Sequence, residues 1–288
     1  MSDEKFNAKV YAYPDGHVDI LCASCGIFSE GDSIKERPLT DKDVCEGSGE
    51  GPAPRQKGKK SSGEDRLRSV RRARAKLRRL ALMNDFEYFI TLTLDKEKID
   101  RFDGAAITRR LNQWCSNMVK RHGLRYIIVP EQHKDGAWHF HGFFAGDGLK
   151  IVDSGTIRRP DRKQPQRPQS EAERAQWLTE GGQIVYNLPQ WPYGFSTALK
   201  LYGEYRAAVT YCTKYVGKQN GERPLGRWYY SGGALTEPEA QLTDIDFHEL
   251  REQFGDEVME VDVPIQGGKM LVIHTKQEGY IAKSDKSP

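Results

Sequence analysis

The stretch AWHFHGFF, residues 137–144, places two histidines one residue apart inside an aromatic, apolar run. Successive side chains on a β-strand alternate between its two faces, so His139 and His141 point to one side while Phe140 points to the other. Two imidazoles on one face are typical of a metal site. The same pattern also fits a half-buried strand whose polar face carries two histidines without a ligand, and it does not by itself decide between the two interpretations.

A carboxylate is available to complete such a site. Glu131 ends the run YIIVPE, and the Asp-Gly pair at 135–136 predicts a tight turn that joins this run to the histidine strand as an antiparallel hairpin. The hairpin brings Glu131 beside His139 and His141. Two imidazoles and one carboxylate suit Mn²⁺ or Mg²⁺ at a phosphate, and zinc or iron also fits chemically. His133 is a rival ligand, but turn residues usually escape strand alternation.

A second reactive group lies in EYRAAVTYCTKYVGK, residues 204–218, which we expect to form a helix. Tyr211 and Tyr215 are four residues apart and share one helix face, and Lys214 and Lys218 each follow a tyrosine by three residues. A phenol with a pKa of about 10 is mostly protonated at neutral pH, so it needs a polarised phosphate, a base or a nearby cation before it attacks. Two ordinary core tyrosines are the alternative interpretation.

Basic residues are concentrated in one region, although the net charge of the whole chain is only +3. After a linker rich in Gly, Ser and Pro at 46–64, Leu67, Val70, Leu77 and Leu80 recur at helical spacing and predict an amphipathic helix. The alternative to a binding role is a solvated charged face. The density of arginine favours contacts with nucleic-acid phosphates by Arg66, Arg68, Arg71, Arg72, Arg74, Arg78 and Arg79.

The number and spacing of the cysteines indicate the redox environment of the protein. There are five, an odd number without framework spacing, which argues against a secreted disulfide scaffold. Cys22 and Cys25 form one C-x-x-C, and Cys45 and His17 are near enough in sequence to complete a Zn²⁺ site. Reduced, unliganded thiols fit the sequence about as well.

With no membrane-length apolar run and an acidic start unlike a secretory signal, we expect a cytoplasmic protein without a membrane partner.

The order of the predicted elements indicates an α+β fold. The β-α-β-β-α-β series predicts a ferredoxin-like or RRM-like antiparallel sheet with both helices on one face. We divide the chain into an N-terminal cysteine-containing segment with linker (1–60), a central domain with the basic helix (61–234) and a C-terminal extension of unknown role (235–288). Within the central domain, residues from about 153 to 182 are expected to form an inserted surface loop with one short helix.

Three motifs, in order, resemble those of rolling-circle replication initiators of the His-hydrophobic-His (HUH) endonuclease superfamily. FITLTLD is similar to the family's first strand motif, EQHKDGAWHFHGFF to its metal motif with an upstream glutamate, and YCTKYVGK to its catalytic helix. The last is most similar to the two-tyrosine version in the gene A protein of icosahedral microphages and, more loosely, in the gene II protein of filamentous phages. The likeness spans about Tyr88 to Ser231.

This resemblance implies a metal-dependent DNA endonuclease and strand transferase that starts rolling-circle replication of a phage or plasmid in a bacterial host. It implies Mg²⁺ or Mn²⁺ as the cofactor and a covalent 5′-phosphotyrosine as the intermediate. Tyr211, with Lys214 three residues on, matches the nucleophile of single-tyrosine relatives. Tyr215, with Lys218, then matches the second nucleophile.

The implied partners are single-stranded or supercoiled origin DNA, a host polymerase and a host helicase, since the sequence has no P-loop motif. An HUH-type transposase or mobilisation protein is the enzymatic alternative. A non-catalytic single-stranded-DNA-binding protein is the alternative from another class, with Trp228, Tyr229 and Tyr230 as surfaces on which bases stack.

Overall fold

A computed structural model of the chain describes residues 4–29, 63–201, 203, 205–218, 223–263 and 268–276. The chain divides into two compact units, Glu46–Thr236 and a smaller one formed by Met1–Cys45 with Glu237–Pro288. Each unit is built on an antiparallel sheet, and the described residues also form five α-helices, so the predicted α+β class is confirmed. None of the helices in the described ranges has the length and apolar composition needed to cross a membrane.

The elements follow one another in a mixed order along the chain. The helices are α1 (Gly63–Met83), α2 (Gly104–His122), α3 (Glu171–Thr179), α4 (Tyr205–Thr213) and α5 (Phe247–Phe254). The strands are β1 (Ala8–Ala12), β2 (His17–Ala23), β3 (Tyr88–Leu94), β4 (Arg125–Gln132), β5 (Trp138–Ala145), β6 (Val152–Arg158), β7 (Gln183–Asn187), β8 (Gly194–Lys200), β9 (Tyr230–Gly232), β10 (Gln241–Thr243), β11 (Met259–Asp262) and β12 (Lys269–Lys276).

The sheet of the larger unit has seven strands in the order β6-β7-β8-β3-β5-β4-β9. β4 and β5 form the predicted hairpin, and its turn contains Gly136 in the left-handed region at φ 86°. In this register Glu131 pairs with His139 and Val129 pairs with His141. Because directly paired residues project to the same face, the hairpin brings the carboxylate to the side of the sheet that carries both imidazoles.

One face of this sheet packs against α2. Leu111 and Trp114 of α2 belong to the same buried cluster as Ile90 and Leu92 of β3. The helix is capped by Gly123, which is left-handed at φ 61° and whose amide donates to the carbonyls of the last turn.

The opposite face packs against α4 and α1. Phe89 precedes Ile90 on β3 and therefore points away from α2, and its ring meets that of Tyr211 on α4 at 6.0 Å between centroids. The hydroxyl of Tyr205 on α4 donates to the carbonyl oxygen of Ala81 on α1 over 2.6 Å. The expectation that both helices of the β-α-β-β-α-β series share one face is therefore wrong, because α2 and α4 cover opposite faces. The face of β3 that α4 approaches carries Thr91 and Thr93 beside Phe89, and the sequence does not indicate which helix covers which face.

The segment 153–182, expected as a surface loop with one short helix, contains strand β6 as well as helix α3, which is a correction to the prediction. β6 pairs with β7, and β7 pairs with β8, so the segment extends the sheet. The β6–β7 register shifts between Asp153 and Thr156. Such a bulge disrupts the alternation by which a strand is recognised in a sequence.

In the smaller unit, strands from the two ends of the chain form one sheet in the order β10-β1-β2-β12-β11. β11 and β12, both in the C-terminal extension, pair as antiparallel strands. Ile20 of β2, Leu271 and Ile273 of β12 and Leu250 of α5 belong to its core. The linker predicted at 46–64 lies almost entirely outside the described residues.

The close approach of β4 to β5 gives a first test. A Cβ on Gly142 would lie 2.1 Å from the carbonyl oxygen of Ile127, a distance that forces the two strands apart. We expect Gly142→Ala to destabilise the larger unit by about 1–3 kcal/mol and to lower its thermal unfolding midpoint by at least about 2–4 °C. Gly63→Ala is the control, because nothing lies within 4 Å of its added Cβ. Equal midpoints for the two variants would contradict the tight strand contact.

Candidate metal and tyrosine site

Glu131, His139 and His141 converge on one face of the larger sheet. The Nε2 atoms of His139 and His141 each lie 3.0 Å from Oε2 of Glu131 and 2.9 Å from each other. Glu131 and His139 are buried, and His141 is partly buried. Among the described residues, this is the cluster of histidine, cysteine and acidic side chains that could hold a metal ion.

These distances fit ligands that share a cation. Two ligands at about 2.1 Å from a metal and at right angles to each other lie about 3.0 Å apart. A contact between two facing imidazole nitrogens is a hydrogen bond only if one of them carries a proton, whereas a cation accepts all three lone pairs together. Two imidazoles and a carboxylate also form a donor set that divalent metals accept with coordination positions left open. The side chains present therefore fit a divalent cation, whose identity the geometry leaves open.

Neighbouring side chains fix the orientation of both imidazoles. Nδ1 of His141 lies 3.0 Å from the hydroxyl oxygen of Thr91 on β3. With the proton on Nδ1 donated to this oxygen, Nε2 presents its lone pair toward Glu131 and the cation position. The ring of His133 stacks on that of His139 with 3.8 Å between centroids. His133, the rival ligand in the sequence, thus supports a ligand ring and lies outside the cluster of three.

The electrostatics of the cluster favour the protonation states that metal binding requires. Burial alone would raise the pKa of the Glu131 carboxyl, but the contacts of its oxygens with His139, His141 and Lys218 outweigh burial and hold the pKa well below its usual range. Burial lowers the pKa of His141, which favours the neutral imidazole. The carboxylate is therefore ionised while His141 keeps a lone pair.

The predicted helix at 204–218 is shorter in the structure. α4 ends at Thr213, and the chain continues from Lys214 to Lys218 in turns whose amides donate to carbonyls three residues back. Gly217 lies in the left-handed region at φ 74°, and a Cβ there would lie 2.6 Å from a methyl carbon of Val70 on α1. Tyr211 is consequently on the helix, whereas Tyr215 lies in the turn that follows it.

The two phenols nevertheless meet beside the histidines. Their ring centroids are 5.2 Å apart, and the hydroxyl of Tyr215 donates a hydrogen bond to the hydroxyl oxygen of Tyr211. The Tyr215 ring also stacks on His141 with 4.2 Å between centroids. Burial and the hydrogen bond to Tyr211 raise the pKa of Tyr215, so Tyr215 retains its proton. Tyr211 is 49% exposed and is the phenol that solvent reaches more readily.

The two lysines are placed differently. The ammonium group of Lys218 pairs with Oε1 of Glu131 and lies 5.2 Å from the ring centroid of Tyr215. Lys214 is exposed, and among the described residues it pairs with no side chain of the cluster. Lys218 therefore links the tyrosine turn to β4.

The basic helix carries its arginines toward solvent along most of its length. Arg66, Arg68, Arg71, Arg72 and Arg74 are exposed, whereas Arg78 and Arg79 are half-buried. Leu67, expected in the apolar stripe, is 60% exposed, which corrects that prediction, while Val70, Leu77 and Leu80 are buried.

Arg74 has a structural contact that the sequence did not reveal. Its Nε donates to the carbonyl oxygen of Val216 over 2.9 Å, so α1 also holds the tyrosine turn in place.

The residues of the zinc hypothesis are only partly described. Cys22 is buried in the core of the smaller unit, and burial raises the pKa of its thiol to about 11, which favours an unliganded, protonated sulfur. His17 lies five residues earlier on the same strand, an odd spacing that points it to the opposite face. Cys25 is half-buried, and Cys45 lies outside the described residues. The zinc site stays a prediction.

The aromatic residues near β9 are engaged in packing. Trp228 and Tyr230 are buried; the indole N–H of Trp228 donates to the hydroxyl of Ser69, and the hydroxyl of Tyr230 donates to the carbonyl of Leu225. Side chains held in this way offer little open ring surface to a nucleic-acid base, which argues against a binding protein that stacks bases on these rings.

Comparison with known proteins gave a match to one family model. Residues 87–220 match the family model of replication-associated proteins of the ORF2 and gene II protein type, and this range contains the triad, both tyrosines and both lysines. No curated protein and no solved structure gave a significant match. The match supports a role in DNA replication and confirms the resemblance to replication initiators that the three motifs indicated. Residues 87–220 are thus similar to the family of replication-associated proteins of the ORF2 and gene II protein type.

Proposed function

We propose that the central domain nicks and rejoins single-stranded DNA through a covalent 5′-phosphotyrosine and thereby initiates rolling-circle replication of a phage or plasmid. The observation that carries this proposal is the placement of two hydrogen-bonded phenols over a buried triad of two imidazoles and a carboxylate. Their juxtaposition is what a phosphoryl transfer from DNA to tyrosine needs.

In the first step, the Tyr211 oxygen attacks the scissile phosphorus and the bond from phosphorus to the 3′ oxygen breaks. The phenol loses its proton to solvent, and the departing 3′ oxygen gains one. The hydroxyl of Tyr215 donates to the Tyr211 oxygen, so it stabilises the negative charge that develops there. A divalent cation held by Glu131, His139 and His141, which we propose to be Mg²⁺ or Mn²⁺, supplies charge stabilisation at the phosphate.

The products suit replication without an external energy source. The phosphotyrosine conserves the energy of the phosphodiester, so rejoining needs no ATP. The free 3′ hydroxyl primes a host polymerase, and duplex unwinding requires a separate host helicase. Tyr215, one turn away from Tyr211, is placed to cut the regenerated site while Tyr211 still holds the first strand.

Removing an imidazole tests the metal site. We expect His139→Ala or His141→Ala to reduce Mn²⁺-dependent nicking of single-stranded origin fragments by more than about 100-fold while DNA affinity stays nearly unchanged. His248→Ala is the matched control, because His248 is exposed on α5 of the smaller unit. Calorimetric titration with Mn²⁺ checks metal binding directly. Full cleavage by the double variant would exclude this site as the metal centre.

Single hydroxyl deletions separate the two tyrosines. We expect Tyr211→Phe to abolish most of the first covalent adduct, and Tyr215→Phe to leave an adduct but to impair the second transfer that releases a closed circle. Loss of the hydrogen bond to Tyr211 should also slow the first step of Tyr215→Phe by a few-fold. Mass spectrometry of the trapped peptide locates the adduct. A first-round adduct found solely on Tyr215 would reverse the roles, and one on neither residue would exclude the mechanism.

The exposed arginines of α1 are expected to contact phosphates without reading bases. Arg71→Gln with Arg72→Gln should weaken binding to all single-stranded sequences alike and flatten the plot of log affinity against log salt by about 0.7 per lost contact. Arg109→Gln with Arg121→Gln is the control pair, since both residues are exposed on α2 across the sheet. If the α1 double variant and the α2 double variant gave the same slope of log affinity against log salt, α1 would not be a DNA-binding element.

A further inference from the structure

The sheet face that carries the triad continues onto β8, where Phe195 and Thr197 are exposed. Thr93 of β3 pairs with His139 on one side and with Phe195 of β8 on the other. Thr91 likewise pairs with His141 and with Thr197. Directly paired residues project to the same face, so Phe195 and Thr197 lie on the metal side of the sheet. Two strand spacings separate β8 from β5, which puts Phe195 about 10 Å from His139.

Phe195 is exposed to an unusual degree for its type. Its relative exposure of 71% is the highest among the large apolar side chains that are described as exposed, and Thr197 beside it is also exposed. α4 packs over Phe89 and Phe143 farther along the sheet. An aromatic ring on an open sheet face contributes nothing to the core, but it offers a flat surface beside the triad.

A cleft lies at the other end of β8. Its volume is about 440 Å³, Phe89 and Leu199 form part of its apolar wall, and Tyr211 also lines it. Arg158, Arg159 and Lys200 line the same cleft, and none of its described lining residues is acidic. Arg158 belongs to β6, in the inserted segment, and pairs with Gln183 on β7. The insertion therefore brings cationic side chains beside the tyrosine that is the more accessible nucleophile.

The features of β8 and the cleft fit one class of ligand. An open aromatic ring, a threonine hydroxyl and cationic side chains match the bases, sugars and phosphates of an unpaired DNA strand. Duplex DNA does not fit the exposed ring, because its bases are stacked on each other and present no free face. The continuity of this surface with the triad and with Tyr211 indicates that the strand it receives is the one that is cut.

We propose that Phe195, Thr197 and Leu199, together with Arg158, form a β8 strip that binds the unpaired DNA next to the scissile phosphate, with one base stacked on Phe195. This inference rests on the proposed function, because it assigns a binding surface for the same substrate. The strip fixes the strand on one side of the phosphate and so holds the phosphorus within reach of Tyr211. Arg158 contacts a backbone phosphate at the cleft end.

The test compares single-stranded and duplex binding. With a dye-labelled thymidine oligomer, we expect Phe195→Ala to weaken binding by about 5- to 150-fold, Phe195→Tyr to bind as the wild type does, and the affinity for a duplex of equal length to stay unchanged. Phe102→Ala is the matched control, because Phe102 is 57% exposed and precedes α2. Arg158→Gln should flatten the salt dependence of single-strand binding by about 0.7.

Wild-type single-strand affinity in Phe195→Ala, or an equal loss for single strand and duplex, would overturn the β8 strip. The covalent-adduct assay, run on the same preparations, separates this outcome from failure of the proposed function. If Phe195→Ala leaves single-strand affinity unchanged and the covalent adduct still forms, the β8 strip is refuted and the proposed function is not. Single-strand binding that depends on Phe195, without any adduct, supports the strip and refutes tyrosine transfer.

Discussion

The pairing register of β4 and β5 determines whether the candidate site exists. Glu131 faces His139 only in the observed register, and a slip of one residue would turn the carboxylate to the face that packs on α2. Two local features hold this register. The left-handed Gly136 closes the turn, and the absence of a side chain at Gly142 lets the strand lie against the backbone at Ile127. The site thus requires the backbone pairing of β4 and β5, and the contacts between its side chains follow from that pairing.

The sequence predicts those parts of the site that depend on the spacing of residues close together along the chain. Alternation along β5 places His139 and His141 on one face, and the Asp-Gly turn brings Glu131 to them. The four-residue spacing brings Tyr211 and Tyr215 together although the helix ends between them, because a tighter turn of the chain keeps them on one side. Short-range geometry is thus readable from residue types alone.

Long-range contacts are the part that the sequence did not reveal. Thr91 supports His141 only because β3 lies beside β5, and Lys218 reaches Glu131 only because α4 crosses the metal face. Both depend on which strands and helices become neighbours, and the spacing of residues within one element does not determine that. The sequence did not predict strand β6 for another reason. Its bulge and its polar residues disrupt the alternation of apolar and polar residues that is typical of a strand.

The inserted segment also changes how the sheet ends. With β6 and β7 added, β8 has hydrogen-bonded neighbours on both sides, and the outer strand on that side is β6. β6 is interrupted by a bulge that contains Gly155 at φ 72°, and Pro160 follows it. The opposite border is β9, which has three residues. A bulged strand and a very short strand are poor templates for strand addition by another chain, so both borders are protected against edge-to-edge aggregation.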